Sequence, residues 1–285
     1  MKHIFKRRFN MEKEERTIDY VKWGCLVLFA ILTIASQIPG VPFILQVVQW
    51  FPLIAFAVIH GCQRYGWKNM LIYFVITWVV SNFLESLSII TGFPFGNYHY
   101  MDSWFKIVGV PIAIMPTYFA QSYIALTMAQ ALIGIFNKKI NGIYKFIVPF
   151  TAALVMTMWD VISDPTASTI TGGWTWENGG EFFGVPVSNF AGWVLCVYIF
   201  MQIFTLILSK YESTEKQTSV ASNKSFWIEP CVAYACMGTG VLISGFTQTE
   251  YIEIYRSMAM LSVFLVLFNA LMASMRIIQN KEDLR

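Results

Sequence analysis

Long apolar runs separated by short polar segments dominate this chain. Each run approaches the roughly 20 mostly apolar residues that a helix needs to cross a membrane. The runs cover residues 20–38, 44–61, 69–90, 110–135, 143–163, 185–209, 227–246 and 255–278. The pattern therefore predicts an all-α fold, a polytopic membrane helix bundle with about eight transmembrane helices.

Composition supports the same class of protein. Hydrophobic residues make up 56% of the chain and charged residues only 13%, whereas about a quarter of an ordinary globular protein is charged. The five cysteines have no spacing typical of a disulfide framework or a zinc site. We expect membrane lipids as partners, no nucleic acid and no bound metal.

The basic residues predict the orientation of the helices. Cytoplasmic loops of membrane proteins collect Lys and Arg. With the N-terminus inside, every one of the 20 basic residues except Lys106 and Arg256 falls in a predicted cytoplasmic segment. Both termini are therefore expected in the cytoplasm, and the protein is expected to be a multi-pass protein of the plasma membrane.

This orientation divides the chain into three parts. Residues 1–19 form a basic cytoplasmic segment, residues 20–278 a single transmembrane domain, and residues 279–285 a cytoplasmic tail. The first apolar run follows a long charged segment without a convincing cleavage site. We therefore interpret it as a retained anchor and not as a signal peptide.

Acidic residues single out the outer ends of two helices. Glu85 and Asp160 fall in the last turns of the third and fifth spans, and Asp164 follows one turn after Asp160. No Lys or Arg occurs anywhere in residues 146–202. An ionisable group in a membrane is costly and usually faces the bundle interior. These acids are therefore the candidate functional groups.

A weak internal repeat relates the two acids. Gly-Val-Pro follows 24 residues after Glu85, at Gly109, and 24 residues after Asp160, at Gly184. Both intervals contain an outer loop rich in aromatic residues and glycine. The repeat predicts one site at the outer face, built from two similar hairpins under a shared lid.

Three segments carry a resemblance to a known family. They are "ESLSIITGFPFGNYHY" (85–100), "GVPIAIMP" (109–116) and "WDVISDPTASTITGGWTWENGGEFFGVPVSNFAGW" (159–193). The chain resembles the carotenoid-biosynthesis membrane proteins that include bisanhydrobacterioruberin hydratase and gamma-carotene hydroxylase. One departure is Tyr118, which stands where the resemblance implies a Trp.

The resemblance implies hydration of the terminal isopropylidene double bond of a C40 or C50 carotenoid. It implies no redox cofactor, a lipid-soluble isoprenoid or carotenoid as substrate, and possible association with other membrane enzymes of the same pathway.

The chemistry of such a hydration can be argued from the residues themselves. Protonation of a trisubstituted alkene leaves a tertiary cation, so the site needs an acid that keeps its proton, a surface that tolerates a cation, and one water. A buried carboxyl without a cationic partner satisfies the first need, and aromatic faces satisfy the second.

We therefore expect Asp160 or Glu85 to be the general acid, with the other acid and Asp164 helping to hold the proton and to orient water. The W-D-x-x-x-D-P context favours Asp160. Asn189 and Trp193 are four residues apart and share a helix face, where Asn189 could hold the water. The expected substrate-binding residues are Trp159, Trp174, Trp176, Asn97, Tyr98, Tyr118, Asn189 and Trp193.

Two other classes of function remain open at this stage. A metal-dependent intramembrane hydrolase or transferase could use Glu85, His99, Asp160 and Asp164 as ligands. A proton-coupled transporter could place Glu85 and Asp160 on a proton path.

Overall fold

The computed structural model describes residues 2–42, 44–101, 105–136, 139–211 and 220–285. This part of the chain is an all-α bundle, as predicted, with a few two- and three-residue strands. Its α-helices are α1 (Lys2–Ala35), α2 (Ile44–Val48), α3 (Trp50–Thr91), α4 (Met115–Ile133), α5 (Tyr144–Asp164), α6 (Val187–Tyr211), α7 (Lys224–Thr247), α8 (Ile252–Ser262) and α9 (Phe268–Gln279).

The long helix α3 contains the second and third predicted spans as two antiparallel arms. Gly66 separates the arms, with φ 79° and ψ 156°, a conformation that glycine adopts without a steric penalty. The side chain of Met70 packs against Gly61, although nine residues of unbroken helix would separate them by about 13 Å. The chain therefore reverses direction at Gly66.

Two spans contain wider helical turns. α5 continues through a π-helical segment, Pro165–Ile170, so this helix passes beyond the predicted boundary at residue 163. A second π-helical segment, Val263–Leu267, joins α8 to α9. These two helices therefore act as one continuous element over the last predicted span.

The predicted span 110–135 begins too early. Val110–Pro111 is a strand, β3, which pairs with β2 (Lys106–Ile107), and a short 3₁₀ helix, Ile112–Ile114, precedes α4. Pro111 has φ −65° and ψ 127°, an extended conformation, and its pairing in the β2–β3 ribbon keeps it outside the helix, so the α-helix starts at Met115.

Among the described residues, six helical stretches are long and apolar enough to cross a membrane: Arg16–Ala35, Ile44–Thr91, Tyr144–Ile170, Val187–Lys210, Lys224–Thr247 and Ile252–Gln279. One of them, Ile44–Thr91, holds two of the eight predicted spans. The remaining predicted span is α4, which lies outside this set and carries buried polar side chains such as Ser122, Thr127 and Gln130. α4 packs against α3, α5, α7 and α9 in the centre of the bundle.

The described segments that were predicted to be cytoplasmic meet at one end of the bundle. Lys22 in α1 forms an ion pair with Glu229 in α7 at 2.8 Å. Arg64 donates to the carbonyl of Phe136 at 3.1 Å, and the backbone N–H of Arg285 donates to the carbonyl of Ser222 at 2.7 Å. The glycine-rich loops after Glu85 and Asp160 lie together at the opposite end, where the remaining two strands, β1 (Tyr98–Tyr100) and β4 (Trp174–Trp176), form a ribbon.

The orientation of this bundle in the membrane is a testable prediction. Asn141 and Asn178 are exposed positions assigned to opposite ends. The single substitutions Asn141→Cys and Asn178→Cys, in a background without the native cysteines, should react with a membrane-impermeant thiol reagent from opposite sides. We expect the Asn178→Cys variant to be labelled in intact cells and the Asn141→Cys variant only after permeabilisation. Labelling of both from the same side would contradict the orientation.

Candidate functional site

Glu85 lies near the C-terminal end of α3, at the end of the bundle predicted to be outside, and is surrounded by tyrosine hydroxyl groups. The side chain is only 4% exposed. Tyr98, Tyr100 and Tyr118 each donate a hydrogen bond to its carboxyl group, with 2.8 Å between the Tyr100 hydroxyl and Oε2. A carboxylate is purely an acceptor, so three O–H donors match its ionised form.

The tyrosines on the first outer loop are held as donors. Burial raises the pKa of the Tyr98 and Tyr100 hydroxyls well above their ordinary value, and the charge of the neighbouring Glu85 raises each further. Both hydroxyls therefore keep their protons at physiological pH. The two residues are two apart in β1, so they face the same side of the strand.

The two outer loops are joined by the antiparallel pairing of β1 with β4. Tyr98 pairs with Trp176 and Tyr100 with Trp174. The rings of Tyr98 and Trp176 contact each other with centroids 4.9 Å apart. The ribbon places an aromatic layer over the acids, in agreement with the predicted arrangement of two hairpins around one site.

Close approach to α6 fixes the first loop in place. A Cβ at Gly192 would lie 2.7 Å from a ring carbon of Phe95 and 3.0 Å from the backbone of Pro94. Only a glycine therefore lets the loop pack so tightly against this helix. Phe95 also contacts Trp193 in an edge-to-face arrangement.

Asp160 and Asp164 lie one turn apart on α5 and share a single amide donor. Asn189 of α6 donates from Nδ2 to Oδ2 of Asp160 at 2.9 Å and to Oδ2 of Asp164 at 2.6 Å. The two acids are 4% and 1% exposed. Asn189 was predicted to hold a water, but both of its N–H groups are directed to the acids.

One carboxyl oxygen of the Asp160 and Asp164 pair accepts no hydrogen bond from the described residues. Oδ1 of Asp164 and the indole N–H of Trp176 have no hydrogen-bond partner among the described residues. The indole N–H groups of Trp174 and Trp176 are nevertheless directed as donors toward the Asp164 carboxyl, with no direct hydrogen bond from Trp176. An acceptor and a donor therefore face the same region without being paired, which is the arrangement that a water or a polar group could complete.

The three acids form one electrostatic cluster. Glu85 interacts electrostatically with both Asp160 and Asp164. In the part of the chain that the structure describes, no ion pair involves any of the three. Lys106, the basic residue on the first outer loop, donates to the backbone carbonyl of Tyr100 at 3.1 Å.

Two predicted site residues lie elsewhere. Trp159 is the neighbour of Asp160 in α5, and successive side chains of a helix point about 100° apart. Trp159 therefore faces another direction and packs against Trp50, with ring centroids 6.3 Å apart. Asn97 is exposed, and its amide lies against Gly92. Neither side chain therefore contacts the acids directly, and their binding of substrate stays a prediction.

Tyr118 has a specific reason to be a tyrosine. Its ring stacks on Trp193 at 4.8 Å with the planes 7° apart, while its hydroxyl reaches Glu85. A tryptophan at this position would keep the stacking but would lose the hydroxyl. The tyrosine thus supplies an O–H donor to Glu85 at this position.

Sequence reasoning missed Tyr100 as a partner of Glu85. The signal was the spacing in "NYHY", because Tyr98 and Tyr100 share a face if the segment is a strand. The same alternation sends His99 to the opposite face, where it is 58% exposed and lies 3.6 Å from Glu177. His99 is thus separated from the acids with which the metal hypothesis grouped it. Among the described residues, no group of three His, Cys, Asp or Glu side chains could hold a metal ion.

Comparison with known proteins gives a match to one family model. Residues 41–264 match the model described as "Carotenoid biosynthesis protein". No curated protein and no solved structure matches the chain. The matched region contains both outer loops, all three acids and their hydrogen-bond donors.

The amide bridge makes a prediction about stability. Asn189→Leu should leave two buried carboxyl groups without their shared donor, and an unsatisfied buried polar group costs about 1–3 kcal/mol. We expect the free energy of unfolding, measured by denaturant titration in micelles, to fall by about that amount. Asn269→Leu is the matched control, because Asn269 bonds mainly to a carbonyl of its own helix, Leu265. Equal losses in the two variants would contradict a specific role of the bridge.

Proposed function

The chain belongs to the family of carotenoid biosynthesis proteins, and we propose that it is a hydratase that adds water across a terminal C=C bond of a carotenoid or related isoprenoid. Its apolar helices are those of a membrane protein, and its family is that of the carotenoid pathway. The observation that carries the proposal is the cluster of three buried acids, neutralised by no cation among the described residues and covered by aromatic rings.

The first part of the argument assigns Glu85 the role of carboxylate. Both of its oxygens accept hydrogen bonds from tyrosine hydroxyls. Donors directed at a carboxyl group favour its charged form. Glu85 is therefore suited to stabilise positive charge in the substrate and to accept a proton from water, and it is poorly suited to donate one.

The second part assigns the proton to the aspartate pair. Asp160 and Asp164 are buried together and share one neutral donor. A buried acid with no cation partner tends to neutralise by holding a proton, and two adjacent carboxyls do so as a coupled pair. We propose that this pair supplies the proton, with Asp160 as the preferred donor and Asp164 as its partner.

The third part concerns the cation that protonation creates. Trp174, Trp176, Tyr98 and Tyr100 present ring systems beside the acids. Ring faces attract positive charge by about 0.5–2 kcal/mol per contact. The nearby Glu85 carboxylate provides a further negative charge. A tertiary carbocation would therefore be stabilised within reach of the donor.

The reaction balances without an oxidant. The aspartate pair transfers H⁺ to the less substituted alkene carbon, water bonds to the tertiary cation, and the surplus proton of that water returns to a carboxylate of the cluster. Oδ1 of Asp164 and the indole N–H of Trp176, which have no hydrogen-bond partner among the described residues, are suited to bind the water. The net change is addition of H₂O to give a tertiary alcohol.

A proton-coupled transporter is the second candidate. The uncompensated acids suit a proton path, but transporter sites generally lie near the middle of the membrane, whereas Glu85, Asp160 and Asp164 lie at one end of the bundle. Movement of a labelled, chemically unchanged substrate across proteoliposome membranes, driven by a proton gradient, would favour transport over hydration.

Removal of the proposed donor should nearly abolish the reaction. Loss of a positioned general acid typically costs about 10²–10⁴-fold in rate, so we expect Asp160→Asn to lose at least about 100-fold in conversion of a lycopene-type substrate by isolated membranes. Glu177→Gln is the control, because Glu177 is an exposed acid of the same outer loops. Full activity of both Asp160→Asn and Glu85→Gln would place the site elsewhere.

An aromatic substitution should act more weakly. Trp174→Leu removes one cation–π contact, worth about 0.5–2 kcal/mol, and should therefore slow turnover by roughly 2- to 30-fold. The measurement is the same membrane assay at saturating substrate. A loss as large as that of Asp160→Asn would mean that Trp174 does more than stabilise charge.

The source of the new oxygen tests the reaction class. In H₂¹⁸O the hydroxylated product should carry the label, because water is the nucleophile. Incorporation of label from ¹⁸O₂ would identify an oxidation and would contradict the acid-catalysed hydration.

A further inference from the structure

The acid cluster is closed in this structure. Glu85 and Asp160 are each 4% exposed, and Asp164 is 1% exposed. Asn189, which bridges the two aspartates, is 2% exposed. A substrate carbon must come into van der Waals contact with the carboxyl group that protonates it, and so little exposed surface leaves no room for one. Part of the protein must therefore move before the proposed substrate can reach the acids.

The first outer loop is tied firmly to two helices. Oγ of Ser88 in α3 accepts a hydrogen bond from the backbone N–H of Phe95 at 3.1 Å and donates one to the carbonyl of Gly96 at 2.9 Å. The hydroxyl of Ser188 in α6 donates to the carbonyl of Phe95 at 3.0 Å. β1 follows this loop directly and carries two of the tyrosines that bond to Glu85. β1 is therefore attached to the bundle independently of β4.

β4 is attached in a different way. It lies in a segment bounded by Gly172 and Gly179, which have φ 66° and 60°, a region of backbone space that glycine enters without a steric penalty. A Cβ at either position would have no neighbour within 4 Å, so space is open around both glycines. No side chain of another described residue bonds to the backbone of residues 172–179. We call residues 172–179 the strap.

Outside its own hairpin, the strap is held over the acids mainly by β1. Its backbone pairs with β1 from Trp174 to Trp176, and the N–H of Glu177 donates to the carbonyl of the residue before β1 at 3.0 Å. Both tryptophan rings contact tyrosine rings of β1. The contact between Glu177 and His99 is more than half exposed, and such pairs contribute little to stability. A ribbon of two strands is at best marginally stable, so these contacts can separate.

We infer that the strap swings away from β1 to admit the substrate to the acids, while β1 and its tyrosines stay on Glu85. The inference rests on the proposed function for the identity of the substrate, the branched end of an apolar isoprenoid chain. The ribbon joins the hairpin that carries Glu85 to the hairpin that carries the aspartate pair, so its opening exposes the space between them. Closing again excludes bulk water, so that only a bound water meets the tertiary cation.

A reversible cross-link across the ribbon tests the inference. His99 and Thr175 are direct partners in the register of β1 and β4, and both are exposed. Opposite residues of an antiparallel pair have Cα atoms about 4.5–5.5 Å apart, within the range that a disulfide joins. Oxidation of the double variant His99→Cys/Thr175→Cys should therefore tie the strap to β1. We expect uptake of lycopene by the purified protein in nanodiscs to fall in proportion to the cross-linked fraction and to return on reduction.

The two single variants, treated with the same oxidant, are the controls and should take up lycopene like the unchanged protein. Equal uptake by the cross-linked and the reduced double variant would overturn the inference, because the substrate would then enter with the ribbon closed. If lycopene is taken up but never converted, the proposed reaction fails, while the comparison of oxidised with reduced protein still decides the inference.

Amide hydrogen exchange of the unmodified protein gives a second test, which needs neither a variant nor a substrate. Opening breaks the bonds of the strap to β1 but leaves the serine bonds of the first loop intact, so the strap should exchange faster. The N–H groups of Glu177 and Phe95 report on the two segments. Equal exchange at the two positions, or faster exchange at Phe95, would overturn the inference.

Discussion

The outer end of this bundle depends on hydrogen bonds that neutral groups donate to three buried carboxyls. Glu85 on α3 needs hydroxyls from β1 and α4, while Asp160 and Asp164 on α5 need the amide of Asn189 on α6. Buried acids without donors are strongly disfavoured. Satisfying them therefore requires that four helices and the first outer loop be assembled together, and this requirement links the architecture of the site to the stability of the fold.

The three acids look alike in the sequence, but they differ in the hydrogen-bond donors that surround them. Glu85 receives three O–H donors and the aspartate pair receives one amide, so equivalent carboxyl groups acquire different tendencies to hold a proton. At the opposite end of the bundle, a buried acid is stabilised in a different way. There the buried Glu229 is paired with the cation of Lys22, as expected where a charge is structural. The absence of such a pair among the described residues of the outer end is what favours proton chemistry in a family of carotenoid biosynthesis proteins.

The helix α5 presents its faces to two different surroundings. Asp160 and Asp164 point from one face into the aromatic layer of the outer loops, whereas Trp159 points from another face into a cavity bounded by α1, α3 and α7. The acid-bearing face combines aromatic surface with two polar atoms that have no partner among the described residues, namely Oδ1 of Asp164 and the N–H of Trp176. This combination suits an apolar substrate that acquires a single polar group.

The sequence alone determined the class of fold and the grouping of the candidate acids. Hydropathy and the distribution of Lys and Arg are properties of short segments, so they predict helices and their ends. The i, i+4 spacing brought Asp160 near Asp164 and Asn189 near Trp193 for the same reason. Only the tertiary structure decided that Gly66 reverses the chain and that Trp159 faces away from the acids. It also decided that Tyr100 and Tyr118 meet Glu85. These features depend on how each helix is rotated about its axis and on the register of β1 with β4. Both are determined by contacts between distant segments, which no local pattern records.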